Sequence, residues 1–259
     1  MSDVAAGDAD RAGPEARGCG PALRRLVAVD RVSLSLGPRQ RLAIIGPNGA
    51  GKTTLFRLIA GDVAPTEGRV HLFGRDVTRM PAHRRARLGL SRTFQVANLF
   101  NGLSVLDNVR LAVQASASSR WRFLTPIRQG DRIGAAAREA LERAGIGPRA
   151  DDRVADLSHG EQRQLEVAMA LATEPRVLLL DEPAAGLSAG ERARFRDLLE
   201  ALPRSLPLLL IEHDMRLALS LADEVLCLHN GRQIALGPPS EVRDDETVQA
   251  VYLGRAVDA

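Results

Sequence analysis

Short, continuously apolar runs alternate with helix-like segments along most of the chain. Three runs have the character of strands buried on both faces: RLAIIG (41–46), RVLLLDEP (176–183) and LPLLLIEHD (206–214). The first leads directly into GKTTLFRLIAG (51–61), which has helical spacing and ends at a glycine. Strands that alternate with helices in this way predict an α/β fold with a parallel sheet.

Other segments predict what surrounds this sheet. VDRVSLSL (29–36) alternates apolar and polar residues, which is typical of a half-buried strand. EVLCLHNGRQIALG (224–237) predicts a hairpin with Asn230-Gly231 at its tip. The pattern from about 96 to 166 is mainly helical, so this stretch is predicted to be a helical subdomain.

Composition narrows the class of protein. Residues 1–21 are rich in Ala, Gly and Asp without periodicity, so we expect a disordered tail before a single domain over 22–259. The net charge of +3 comes from scattered arginines interleaved with acids, and we interpret it as a compositional bias rather than a basic face for nucleic acid or lipid. Cys19 and Cys227 are the only cysteines, which argues against a disulfide framework or a zinc site.

Two further features bear on location. No apolar run approaches the roughly 18 residues that cross a bilayer, and the acidic start MSDVAAGDAD lacks the apolar core of a secretory signal. We therefore expect a cytoplasmic protein that reaches a membrane only by docking on a partner.

A phosphate-binding loop is the clearest chemical signal. GPNGAGKTT (46–54) matches G-x-x-x-x-G-K-[ST] between an apolar strand and a helix, where backbone N–H groups and the helix start favour a phosphate. Lys52 is the only lysine among arginines, as expected where a compact ammonium fits and a broad guanidinium does not. The predicted nucleotide-binding residues of the loop are Gly46, Pro47, Asn48, Gly49, Ala50, Gly51, Lys52, Thr53 and Thr54.

Acidic residues at the end of a later strand extend this hypothesis. The hydroxyl of Thr53 is expected to bind Mg²⁺, and Asp181, at the end of the run VLLLD, supplies the usual acidic ligand. Glu182 points the other way and is placed to polarise a water toward a γ-phosphate. A helix-capping or surface acid is the alternative for Glu182.

The order of several motifs narrows the field further. LSHGEQ (157–162) opens a helix at Ser158, which alone is an ordinary capped helix. Together, LSHGEQRQLEVAMAL, VLLLDEP and IEHD resemble the ATP-binding cassette (ABC) ATPases, and Gln95 falls where their Q-loop stands. The resemblance covers residues 22–255. It implies a P-loop NTPase (RecA-like) core with an antiparallel β-subdomain and an inserted α-helical subdomain.

The resemblance also implies roles for single residues. The 46–54 loop would hold the β- and γ-phosphates of ATP, and Thr53, Asp181 and Gln95 would arrange Mg²⁺ and water. Glu182 would be the catalytic base, and His213 would contact the γ-phosphate.

The same resemblance implies that two protomers share each site. Ser158 and Gly160 would complete the nucleotide site of a second ABC ATPase in a head-to-tail homo- or heterodimer. One chain alone would then hydrolyse ATP poorly.

Three departures from the family pattern stand out. His159 and Glu161 replace the Gly and Gln of many members, and Ser188 replaces an Asp in AAGLS. The segment PALRRLVAV (21–29) lacks the aromatic residue that usually stacks on adenine, and an arginine could stack instead. The usual first strand before it is also expected to be missing.

One branch of the family is the most similar in wording. DEPAAGLS, NLFNGLSVLDNV and EVRDDETVQAVYLG look like the branched-chain amino acid importer ATPases. Such a resemblance implies two transmembrane permease subunits, an extracytoplasmic substrate-binding protein, and a peripheral location on the cytoplasmic face of the inner membrane. Phe100 and Leu103 are predicted to contact a permease helix.

Alternatives remain open at this point. The ATPases of urea or amide uptake and of lipopolysaccharide export share much of this wording, and cargo never touches the ATPase. A non-transport ABC ATPase acting on nucleic acid would carry long insertions or two cassettes, so nucleic acid is not expected as a partner. A simple P-loop kinase would leave Ser158 and His213 without a role.

Overall fold

A computed structural model describes residues 2–5, 28–93, 99–116 and 132–252 of the chain. Its strands are β1 (Ser2–Ala5), β2 (Ser33–Leu36), β3 (Arg41–Ile45), β4 (Arg69–Leu72), β5 (Arg75–Asp76), β6 (Leu90–Arg92), β7 (Val177–Asp181), β8 (Leu208–Ile211), β9 (Glu224–His229) and β10 (Arg232–Gly237). Its α-helices are α1 (Lys52–Ala60), α2 (Ala82–Arg87), α3 (Val105–Ser116), α4 (Arg132–Arg143), α5 (His159–Leu171), α6 (Ala189–Ala201), α7 (Met215–Leu221), α8 (Pro239–Asp244) and α9 (Glu246–Tyr252).

The main sheet has the order β10-β9-β3-β8-β7-β6. All neighbouring pairs from β9 to β6 are parallel, and β10 pairs antiparallel with β9 through the two-residue turn Asn230-Gly231. Both turn residues have positive φ, as this hairpin type requires. The predicted α/β fold with a parallel sheet and the predicted hairpin are therefore confirmed.

Strands β3, β7 and β8 are buried at every position. Successive side chains of a strand face opposite sides, so Leu178 and Leu180 pack in one core with α3 to α6, whereas Leu179 packs with α1 in another. A strand with a core on each side needs apolar residues throughout, which is why these runs do not alternate.

The second sheet corrects an expectation about the chain start. Its order is β2-β1-β4-β5, and Val4 of β1 lies opposite Leu34 on one side and Val70 on the other. Ser2–Ala5 is thus a strand inside the segment 1–21 that was predicted to be a disordered tail, and a strand does precede β2 in this sheet. β1 forms because it pairs with the edges of β2 and β4, and such long-range pairing cannot be predicted from the composition of residues 1–21. Residues 6–27, including the arginines near the adenine position, lie outside the described residues.

Helices α3, α4 and α5 pack against one another within the stretch predicted as a helical subdomain. α5 extends past residue 166 to Leu171. The subdomain boundaries stay a prediction, and residues 117–131 lie outside the described residues. None of the helices in the described ranges is long and apolar enough to cross a membrane.

A buried arginine joins helix α1 to the segment after β5. Arg85 of α2 is inaccessible to solvent. Its guanidinium donates to five backbone carbonyl oxygens, those of Leu58 (2.7 Å), Ile59 (2.7 Å), Val77 (2.7 Å), Met80 (2.9 Å) and Thr78 (3.2 Å). The first two belong to the last turn of α1, whose carbonyls have no partner within the helix. One side chain therefore fixes the end of α1 to the segment that follows β5.

Replacing Arg85 with Met should lower the free energy of unfolding by about 3 kcal/mol or more, because several buried carbonyls lose their donor at once. Arg84→Met is the matched control, since Arg84 is exposed in the same helix, and its effect should stay within about 0.5 kcal/mol. Urea denaturation measures both, and equal effects would contradict this account of Arg85.

Candidate active site

The loop between β3 and α1 is held by close contacts that only glycine allows. A Cβ at Gly46 would collide with the Leu228 carbonyl oxygen of β9, and one at Gly51 with that of Ala28. Both residues have positive φ, 147° and 100°. The backbone N–H of Gly231, at the hairpin tip, donates to the Ala50 carbonyl at 3.0 Å. The loop is thus shaped by its neighbours as well as by its own turns.

The Lys52 side chain bends back over this loop. Its Nζ donates to the carbonyls of Gly46 at 2.7 Å and Pro47 at 3.1 Å, and the residue is only 5% exposed. Burial lowers the pKa of Lys52, and the nearby carboxylates of Glu182 and Asp181 oppose that effect. Both hydrogen-bond partners are neutral, so the charge is available to an anion seated in the loop.

Asp181 ends β7 in a buried position, 6% exposed. Its Oδ1 has no hydrogen-bond partner among the described residues. Burial raises its pKa, as does the charge of Glu182, whereas Lys52 and Arg92 lower it. A buried carboxylate oxygen without a donor fits a hard cation, because oxygen ligands of this type are those Mg²⁺ prefers. Thr53 lies in the first turn of α1.

Glu182 follows with an unusual backbone. Its φ is 47°, in the left-handed region, at a cost of about 1–3 kcal/mol for a residue with a side chain. Its N–H donates to the Ile211 carbonyl at 2.9 Å, which fixes this turn to the end of β8.

The turn after β8 brings two more ionisable groups to the same edge. His213 Nδ1 lies 3.7 Å from Glu182 Oε2 and 3.8 Å from Glu212 Oε2. His213 is about half exposed, whereas Glu212 is completely buried. The structure therefore brings the predicted residues Asp181, Glu182 and His213 together beside the lysine loop. Gln95 lies outside the described residues.

The start of α5 is a second cluster. Ser158 caps the helix, accepting from Glu161 N–H at 3.2 Å, and the Glu161 carboxylate accepts from Ser158 N–H at 2.8 Å. This reciprocal pair is a capping box, in which Glu161 serves as well as the Gln of many family members. His159 Nε2 lies 3.4 Å from the Ala185 carbonyl.

α6 also begins with a capping box, and its acidic residue hydrogen-bonds the start of α5. Ser188 and Glu191 form a capping box, and Glu191 Oε1 also accepts from Gly160 N–H at 3.1 Å. These hydrogen bonds lower the pKa of Glu191 to about 2, with Ser188 as the main cause. Ser188 therefore replaces the family's Asp as an equally good N-cap. The hydrogen bonds of Ser158 and Gly160 stay within these two helix starts.

Sequence reasoning missed three residues here. Glu212 precedes His213 but has no motif role, and Glu191 resembles any first-turn acid. Tyr252, the only tyrosine, accepts a hydrogen bond from Gly46 N–H at 2.8 Å although 206 positions separate them. The Ser188-x-x-Glu191 spacing was the one usable signal, because it is the capping-box pattern.

Comparisons with known proteins agree with this geometry. The profile of the ABC transporter family matches residues 29–185, more than half of the chain. The chain belongs to the ABC transporter family. A second profile, described as the branched-chain amino acid ATP-binding cassette transporter, matches residues 232–258 of this ABC cassette. Members of the family bind and hydrolyse ATP to power transport, and they work with membrane permease subunits.

Curated relatives of the cassette come from more than one transport system. It is 37% identical to the high-affinity branched-chain amino acid transport ATP-binding protein BraF of Pseudomonas aeruginosa, over 89% of this chain and 93% of BraF. It is 36% identical to LivG of Escherichia coli K12, another high-affinity branched-chain amino acid transport ATP-binding protein, with the same coverage of each. The lipopolysaccharide export system ATP-binding protein LptB of Acidithiobacillus ferridurans is also 36% identical, over 89% of this chain and 92% of LptB.

Solved structures share the fold of the cassette. The ADP conformation of the ATP-binding cassette MJ1267 superposes with a TM-score of 0.77 at 29% identity, covering 88% of this chain and 92% of that one. A dimeric post-hydrolysis state of MJ0796, bound to ADP and Pi, gives a TM-score of 0.71 at 22% identity, with 92% and 99% covered.

The lowered pKa of Glu191 has a measurable consequence. The folded pKa is about 2 and the ordinary value 4.5, so Glu191 stabilises the fold fully above about pH 4.5, and this stabilisation is lost as pH falls toward 2. Glu191→Gln should therefore be less stable than the unmodified protein at pH 7, with a difference that shrinks on acidification. Urea denaturation at pH 7, 5 and 3.5 measures it.

Glu200→Gln serves as the control, because Glu200 is an exposed acid near the other end of α6. It should change stability little at any of these pH values. A Glu191→Gln deficit that does not vary with pH would contradict the assigned ionisation.

Proposed function

We propose that this cassette is the ATP-hydrolysing subunit of an importer for branched-chain, hydrophobic amino acids. The observation that carries the cargo assignment is the match of residues 232–258 to the branched-chain amino acid profile. The site geometry supports the ATPase activity, because Lys52, Asp181, Glu182 and His213 meet at one sheet edge.

The proposed roles follow from the contacts. The 46–54 loop and Lys52 bind the β- and γ-phosphates of ATP. Thr53 and Asp181, with Gln95, would hold Mg²⁺, whose charge would offset the negative charge on the phosphoryl oxygens. The unpartnered Asp181 Oδ1 supports this assignment.

Glu182 is the proposed base. A water gives its proton to Glu182 as the water oxygen bonds to the γ-phosphorus, and the bond from that phosphorus to the leaving ADP oxygen breaks. His213, adjacent to the Glu182 carboxylate, would contact the γ-phosphate. The strained φ of Glu182 supports a functional placement, since such strain persists where the surroundings enforce it.

Two cassettes would close around two ATP molecules. Ser158 and Gly160 would complete the site of the second protomer, in a homodimer or with another ABC ATPase. The helix dipole at the start of α5 supports this, because it favours an anion. The Gly160 N–H would then exchange the Glu191 carboxylate for a phosphate of the second protomer's nucleotide.

The cassette would sit peripherally on the cytoplasmic face of the inner membrane. Its proposed partners are two permeases and, indirectly, an extracytoplasmic substrate-binding protein. Phe100 and Leu103 support a docking surface, since they are 56% and 39% exposed. The buried Asn108 side chain accepts from Phe100 N–H at 2.8 Å and donates to its carbonyl at 3.2 Å, so Phe100 is presented on a fixed backbone.

The decisive test replaces Glu182 with Gln in the chromosomal copy of source cells. Without the base, hydrolysis should fall by about 100-fold or more, and uptake of labelled leucine should collapse while a solute with a non-ABC carrier enters normally. Purified protein should still bind ATP. If leucine uptake is unchanged, the cargo assignment is wrong, and the same strain should be assayed for urea uptake and lipopolysaccharide export.

A second test concerns the docking surface. The double variant Phe100→Glu, Leu103→Glu should abolish transport while leaving basal ATPase activity nearly intact, because charges there oppose an apolar contact without reaching the site. Leu236→Glu is the control, since Leu236 is 38% exposed on β10 and should permit transport. Loss of ATP binding in the double variant would contradict the assigned role.

A further inference from the structure

Glu212 is the most deeply buried acid in the described part of the chain. Three acidic residues are buried there, and Glu212 alone has no accessible surface, against 6% for Asp181 and 9% for Glu166. Burial of a carboxylate is costly without compensating donors. Glu212 lies one residue after β8 and one before His213, so the unfavourable burial of its carboxylate occurs at the candidate active site.

One carboxylate oxygen links two loops. Glu212 Oε1 accepts from Ala184 N–H at 3.1 Å, and the backbone N–H of Asp214 also hydrogen-bonds the carboxylate. Ala184 lies two residues after Glu182. The turn that carries the proposed base is thus tied to the turn that carries His213. Burial raises the pKa of Glu212, and the two N–H donors lower it.

The other oxygen faces the histidine. Glu212 Oε2 is buried without a hydrogen-bond partner among the described residues, and it lies 3.8 Å from His213 Nδ1. Glu182 Oε2 lies 3.7 Å from the same nitrogen. A small rotation of the imidazole would bring Nδ1–H into hydrogen-bonding distance of Glu212, and the ring would then present Nε2 away from the carboxylates.

We propose that Glu212 is a positioning residue for ATP hydrolysis. Its Oε1 holds the Glu182 turn, and its Oε2 orients the His213 ring so that Nε2 faces the γ-phosphate. This role rests on the proposed ATPase function. Glu212 acts through its neighbours and does not touch the nucleotide.

Glu212→Gln separates the two halves of this role. The glutamine oxygen can still accept from Ala184 N–H, but its NH₂ group cannot accept from His213. We expect kcat for ATP hydrolysis to fall about tenfold or more, with KM for ATP within about twofold and an unchanged melting temperature. Glu212→Ala should lose both contacts and also lower the melting temperature. Wild-type kcat in Glu212→Gln would overturn the proposal.

A double-mutant cycle tests the route through His213. If Glu212 acts by orienting the ring, Glu212→Gln should change the residual rate of His213→Ala by less than about twofold, because the oriented group is gone. Losses that multiply in the double variant would overturn the assignment. Single-turnover phosphate release is sensitive enough for these slow variants.

Glu166→Gln is the control for removing a buried acid. Glu166 pairs with Arg163 at 2.8 Å within α5, so its loss should lower the melting temperature and leave kcat unchanged. Activity of the unmodified protein separates the two hypotheses. If it shows no ATPase activity that Glu182→Gln removes, both the proposed function and the role of Glu212 fall. If it is active and Glu212→Gln is equally active, only the role of Glu212 is wrong.

Discussion

The buried Lys52 ammonium and the acids around it set the conditions for the rest of the structure. Lys52 is nearly inaccessible, and the charges of Glu182, Asp181 and Glu212 all act on it. Neither sign could be buried alone at this edge without a large loss of hydration. The strand order β3-β8-β7 brings them together, because three parallel strands end at the same edge. The electrostatic balance of the site is thus a consequence of sheet topology.

Helix α1 begins at Lys52, and contacts fix the helix at both ends. At its start, the glycine loop packs against β9 and the hairpin tip, and Tyr252 binds the N–H of Gly46. At its end, the Arg85 guanidinium donates hydrogen bonds to two backbone carbonyls of the last turn. The lysine therefore projects from an element that cannot shift independently of the sheets. A site that must hold phosphates within tenths of an ångström needs such a support.

Local patterns predicted those parts whose causes are local. Continuous apolar runs predicted β3, β7 and β8, and Asn230-Gly231 predicted the hairpin, because burial on two faces and positive φ leave direct marks in sequence. β1 escaped prediction because its pairing comes from strand edges far along the chain. Glu212 and Tyr252 escaped for the same reason, since their partners, Ala184 and Gly46, are distant in sequence. The motif residues around Lys52 were visible because a single loop contains them.

The residues that support the ATPase assignment and those that support the cargo assignment lie in different parts of the chain. Relatives named for amino acid transport and for lipopolysaccharide export are almost equally similar overall, so the shared phosphate site cannot separate them. The cargo assignment draws instead on the C-terminal segment from residue 232, and the proposed partner contact draws on the exposed Phe100 and Leu103. Tyr252 connects that segment to Gly46 of the phosphate loop. The segment that matches the branched-chain amino acid profile is therefore in physical contact with the phosphate loop.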